Sequence, residues 1–370
     1  MGVGVARFAF TSLLPPMLED YLTLTNAGIL ASINFVGYLI GAVFSITLKN
    51  IQTKVIFFRI GLILGVLTSL ILATTQNEIL WIVSRVLAGF GSAMILMVGS
   101  SLVMLKLNLE HKTKAMGIHF SGIGFAIVIS ELLSREVLKY GSWSDAWLAL
   151  SLLAFIISLY SMYIISFSKE HRDTLIKKKS TKSVFTPYVF LLILAYFTEG
   201  VGFVVQGTFL PTIINSLDGL SGYGNLAWLI VGVAGVPSSI LWMRLAHSYN
   251  SVNVIIAAML LQIIGILIPV FTNSIALNLL SATLYGSTFI GLVALFMNRA
   301  GQLSQNNPVV LMGAMTAAYG IGQVGAPLYS VALISYFGDY NTTLYLTSFI
   351  VFIGVLLLLA TKSKRFSSQH

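Results

Sequence analysis

Three ionisable side chains, Arg7, Arg85 and Glu199, lie inside long apolar runs of this chain. Charges at membrane depth are costly to bury and usually face a bundle interior, so each is a candidate for moving protons or holding a charged solute. Glu199 sits near the middle of the apolar run 186–214. A carboxylate there can take a proton when desolvated and release it when a cation or water approaches. That chemistry is proton carriage, with Arg7 as partner to Glu199 or as anchor for a solute. The competing reading is a static ion pair between the two. Arg85 lies near the start of the run 78–105 and reads equally as a cavity cation or as a residue snorkelling to the interface.

Uncharged polar residues also fall inside apolar runs: Asn34, His119, Gln206, Asn298 and Gln323, with the hydroxyls of Tyr196 and Tyr319. They either line a solute pathway or make interhelical hydrogen bonds of about 1 kcal/mol or less each. His119 reads as packing. Glu131, with Arg135 four residues on, reads as a local ion pair at the membrane interface. Arg299 reads as a surface anchor. With no cysteine, disulfides, thiolate metal sites and a thiol nucleophile are excluded. Gly200-Val-Gly202 follows no strand and is no nucleotide fingerprint. No nucleophile–base pair, metal cluster, cofactor site or Walker motif is readable, which argues against an enzyme and against ATP-driven pumping by this chain.

These residues must be held by membrane helices. The chain is 57% hydrophobic and 9% charged, with mean hydropathy +0.91, whereas a soluble domain is about 25% charged. Apolar stretches of about 20 residues can each cross a bilayer. Twelve are expected: 1–18, 25–48, 54–75, 78–105, 115–138, 145–168, 186–214, 222–246, 251–271, 275–300, 309–334 and 342–362. Seventeen of the 21 Lys and Arg then fall on one side, six of them in the segment 169–183; the other side holds only Arg135 and Lys139. The positive-inside rule places both termini in the cytoplasm. The net charge of +9 is therefore a signature of orientation rather than of nucleic-acid binding. The expected fold is an all-α membrane protein: a six-helix bundle over 1–168, a basic cytoplasmic loop over 169–185, a second six-helix bundle over 186–362 and a tail over 363–370. The first span begins at Met1 and carries Arg7 well inside, with no charged residue before it. It reads as a helix lacking its first turns, the alternative being a naturally short one.

The halves echo each other. Ser12–Pro15 aligns with Thr208–Pro211 at an offset of 196, and Ser121–Gly124 with Tyr319–Gly322 at 198. Arg85-V-L-A-Gly89-F-Gly91-S-Ala93 is similar to the R-x-x-q-G-x-g-a motif of the major facilitator superfamily. The runs GVARFAFTSLLPPM, EGVGFVVQGTFLP, VPSSILWMRLA and AAYGIGQVGAPL resemble the bacterial YbfB/YjiJ branch of that superfamily, over essentially the whole chain. The signature usual between helices 2 and 3 is reduced to Lys49 and Lys54, and helix 5 lacks the G-P step of drug/proton antiporters.

The resemblance implies twelve helices in two pseudo-repeat bundles around a site near the midplane, with Arg7, Glu199 and Arg85 near the cavity and Gln206 and Gln323 on gating helices. It implies a monomeric secondary transporter in the bacterial inner membrane working by alternating access, with no particular substrate. A small organic solute is the expected cargo, and protons are the expected coupling ion because Glu199 offers a titratable carboxylate and no Na⁺ site of clustered carbonyls and carboxylates is readable. The two arginines would suit an anion, unless Glu199 neutralises Arg7. Efflux of amphipathic cations by proton antiport, and a non-transporting membrane sensor or scaffold, are the competing functions.

Overall fold

A computed structural model describes residues 7–48, 50–106, 109–165, 186–303 and 308–362, with side chains 103–116 and 304–310 outside that description. Lys49, the basic segment 169–183 and the first six residues, on which the loop and short-helix readings rest, also lie outside it. Every regular element described is a helix. In chain order these are α1 (Ala9–Asp20), α2 (Leu24–Ile46), α3 (Ile51–Thr74) and α4 (Glu78–Ala93). A wide π-helical turn, Met94–Val98, joins α4 to α5 (Gly99–Lys106). Then come α6 (Leu109–Leu138), α7 (Trp143–Ile164), α8 (Pro187–Asn215), α9 (Gly224–Ser248), α10 (Ser251–Phe271), α11 (Ile275–Leu303), α12 (Pro308–Phe337) and α13 (Asn341–Ala360).

Eleven of these rods are long and apolar enough to cross a bilayer, with most of α4–α5 counted as one. They coincide with the second to twelfth expected spans. α1 has 12 residues, short of the about 20 a full crossing needs.

Polar loop residues fix where the rods begin. Thr23, Asn50, Asn77 and Thr186 each accept a backbone N–H from the first turn of the helix they precede. Ser142 and Asp145 form a reciprocal capping box at α7. Such caps satisfy donors that helix geometry leaves orphaned. The lateral surface is apolar: Ile40, Val43, Phe155, Leu159, Val233 and Phe349 all stand exposed. In water this would be an aggregation hazard; in hydrocarbon it is the expected exterior.

Small residues set the helix contacts. Gly37 and Gly41 of α2 seat against Val86, Phe90 and Ala93 of α4 and its end, and Gly61 of α3 meets Gly91 and Met94. The GxxxG steps therefore fasten helices within the first sequence half.

Helices of the two sequence halves meet mainly through α2 with α12 and α6 with α9, and α1 also packs on α8. The glycines at these contacts obey a rule. Gly117 and Gly124 of α6 face Ile240 and Gly235–Val236 of α9, while Gly313 and Gly320 of α12 face Ile46 and Leu39 of α2. Gly313 and Gly320 are the counterparts of Gly117 and Gly124 at an offset of 196. That is the offset already carried by α1 and α8, not the 198 expected for this pair.

Candidate functional site

α8 is buried along most of its length, and its stripes face different partners. Phe203 and Gly207 face α1: the Thr11 hydroxyl donates to the Gly207 carbonyl at 2.5 Å, and the Arg7 guanidinium lies 5.1 Å from the Phe203 ring centre. Both contacts join residues 196 apart. Glu199 and Gln206 face α10 instead: Gln262 Nε2 donates to Glu199 Oε1 at 3.1 Å. Gln206 Nε2 donates to the Gly265 carbonyl at 3.4 Å.

Arg7 and Arg85 line one small cavity of about 10 Å³, together with Thr11, Asn34, Phe35 and Thr208 among others. Arg7 enters α1 on a π-helical turn and is only 8% exposed. Phe35 and Tyr38 of α2 stand 4.6 and 4.9 Å from its guanidinium carbon, beside Phe8 and Phe203. These rings attract the cation through their faces. They accept no in-plane N–H bonds: Arg7 Nε and Nη2 have no hydrogen-bond partner among the described residues.

Arg85 is turned inward rather than snorkelling, 2% exposed. Its Nε donates to the Leu30 carbonyl at 3.4 Å and it stacks 4.6 Å from Phe10. Asn34 Nδ2 donates to the Arg85 carbonyl at 3.0 Å, tying α2 to α4 beside the cavity.

The expected meeting of Arg7 with Glu199 does not occur. No ion pair joins them among the described residues, because Phe203, one helical turn beyond Glu199, occupies the place against Arg7. Gln206 likewise turns away from the cavity toward α10. Gln323 is fully buried one turn beyond Tyr319. Tyr196 and Tyr319 stack face to face at 4.5 Å, and Tyr196 also stacks on Phe296 at 4.6 Å. Their rings serve as a wall reaching Phe203.

Contacts cross between the sequence halves on both sides of the cavity. Toward one side Thr316 of α12 lies between Met97 of the π turn and Met297 of α11. Toward the other, Asn225 Nδ2 of α9 donates to the Ser12 carbonyl of α1 at 3.4 Å, and within the first half the Ser12 hydroxyl donates to Glu131 Oε2 of α6. Glu131 does pair with Arg135, Nε to Oε1 at 3.9 Å, but it is fully buried rather than interfacial.

The reading from sequence missed Phe35 and Tyr38, which box Arg7, and Gln262, the partner of Glu199. Gln262 was visible as an amide in the middle of the apolar run 254–271. Nothing in the sequence marks two of many aromatic residues as neighbours of Arg7.

Eleven apolar rods with charges buried among them define a multi-pass membrane protein of the transporter class. Residues 1–359 match the family model described as uncharacterised MFS-type transporter YbfB, and the chain belongs to this family of major facilitator transporters.

Proposed function

We propose that this chain is a secondary transporter that carries a small organic anion, held between Arg7 and Arg85 and coupled to protons. One observation carries the reading: two buried guanidiniums line one cavity, and two N–H groups of Arg7 have no hydrogen-bond partner among the described residues. A buried polar group left unsatisfied costs about 1–3 kcal/mol, and more when charged. A carboxylate or similar anion supplies the missing acceptors. No carboxylate is among the residues lining the cavity, and Glu199 does not neutralise Arg7, which removes the objection raised by its presence.

The way the halves meet supports alternating access. A parallel repeat brings residues near its axis against their own counterparts, as with Thr11 and Gly207 or Arg7 and Phe203. The same operation exchanges the α2–α12 contact with the α6–α9 contact. Two six-helix bundles, α1–α7 and α8–α13, would rock about that axis. The protein works as a monomer in the bacterial inner membrane, with both termini cytoplasmic.

Glu199 is the proposed proton carrier, its second oxygen Oε2 buried without a hydrogen-bond partner among the described residues. The test is transport in proteoliposomes containing a pH-sensitive dye, with pooled small carboxylates and, separately, cationic drugs. Carboxylate-evoked proton movement is expected with the native chain and is expected to vanish in Glu199→Gln. Carboxylate uptake that persists with no proton movement in the native chain would remove Glu199 from this role. The aromatic wall of Tyr196, Tyr319 and Phe203 favours the second reading, efflux of amphipathic cations. Proton flux evoked by the drugs alone would establish that reading instead.

A further inference from the structure

We propose that Glu131 is a second proton-binding site, the latch of the gate on the Lys/Arg-poor side, which closes when this carboxylate takes up a proton. The inference rests on the proton coupling proposed above but concerns a different residue, at the opposite end of the cavity from Met97 and Thr316. Glu131 is fully buried where α6 meets α1 and α9. Ser12 donates to its Oε2, while Oε1 has no hydrogen-bond partner among the described residues. Asn225 extends the chain by donating to the Ser12 carbonyl.

Among the described residues, the charged group facing Glu131 is Arg135 on its own helix, at 3.9 Å. α1 presents Ser12 and α9 presents Asn225; no charged side chain reaches it from α7 or α11, which also pack on α6. The Arg135 side chain is 39% exposed, so the cluster reaches the surface through it. A pair of this length with one partner partly exposed does not compensate the burial of a carboxylate fully. Parting α9 from α6 and α1 lets water reach the carboxylate. Closing them strips that water away, and binding a proton removes the resulting penalty. The proton thus enters with closure and leaves when the gate reopens. The step is a simple protonation of one Glu131 oxygen, with Ser12 and Asn225 positioned to hold either form.

The chain has no cysteine, so a single Thr208→Cys substitution places one thiol in the cavity lining. Its labelling by a membrane-impermeant maleimide is followed in right-side-out vesicles without any transported solute. Rates are normalised at each pH to those of the unfolded protein. Labelling is expected to slow about tenfold as the bath falls from about pH 8 to about pH 5.5, because closure is linked to proton uptake. Glu131→Gln, a neutral mimic of the protonated form, is expected to label slowly at every pH. Asn225→Ala keeps the carboxyl but removes the side-chain hydrogen bond across the gate, so it labels severalfold faster while retaining the pH dependence. A Glu131→Gln protein that keeps the native pH profile overturns the proposal. So does an Asn225→Ala protein that labels at the native rate, a result available even if the glutamine variant fails to fold. Failure to find a transported anion would leave this labelling result standing on its own.

Discussion

Replacing Arg7 by Gln is expected to lower uptake of the transported anion by about 100-fold or more, while the protein folds normally. Hydrogen bonds to charged groups contribute about 1.5–3 kcal/mol each. Losing two such bonds corresponds to at least a 100-fold loss in binding, since about 1.4 kcal/mol is tenfold. Arg7→Lys is expected to fall between the native chain and the glutamine variant. It retains a cation for Phe35, Tyr38 and Phe203 to surround, but an ammonium cannot make the two-pronged contact of a guanidinium. Arg85→Gln is expected to cost less, about tenfold, because Arg85 already gives Nε to the Leu30 carbonyl.

Stability supplies the control. A buried cation whose N–H donors lack partners destabilises the unliganded fold, so Arg7→Gln should melt at the native temperature or above it. Radiolabelled uptake and thermal unfolding of the same preparations separate loss of binding from loss of fold. Native uptake in Arg7→Gln would end the anion-clamp reading.

Gly89→Leu is expected to abolish folding. A Cβ at Gly89 would run into the backbone carbonyl of Asn34 and stand 2.7 Å from the Tyr38 nitrogen. Backbone inside a helix cannot swing aside as a side-chain tip can, so α2 and α4 would have to separate. Overpacking a close contact typically costs about 1–3 kcal/mol, and more where nothing can relax. Gly89→Ala should therefore lower the melting temperature markedly. The damage reaches the cavity too, since Asn34 and Tyr38 flank it on α2 and Asn34 bonds to the Arg85 carbonyl. Gly122→Ala is the matched control: a Cβ there meets nothing within 4 Å. Size-exclusion profiles and thermal unfolding in detergent check both. A Gly89→Leu protein that is monodisperse and native in stability would contradict the packing described.

The apolar rods were legible because membrane helices are written in consecutive residues. Length and hydropathy alone place α2 to α13 within a few residues, and loop polar residues such as Thr23, Asn77 and Ser142 mark their starts. The motif around Arg85 and the echo between Ser12–Pro15 and Thr208–Pro211 were legible for the same reason, each being local text. Arg7, Arg85 and Glu199 could be picked out as buried charges because a bilayer tolerates few of them. The sequence left open which way each charge points.

A helix turns about 100° per residue, and small differences in rotation sort neighbouring residues to different partners. Phe203 meets α1 while Glu199 and Gln206 meet α10. That rotation, set by how the glycines let the helices approach, decided that Arg7 is boxed by rings rather than paired with Glu199. It also decided that Glu131 is sealed between α1 and α9 rather than sitting at the interface. Sequence by itself determined the membrane rods and the family of this protein, because those depend on neighbours along the chain. The partners of its buried charges lie far along the chain, 55 positions for Arg85 and Leu30, 63 for Glu199 and Gln262 and 119 for Ser12 and Glu131, and only tertiary packing fixes those.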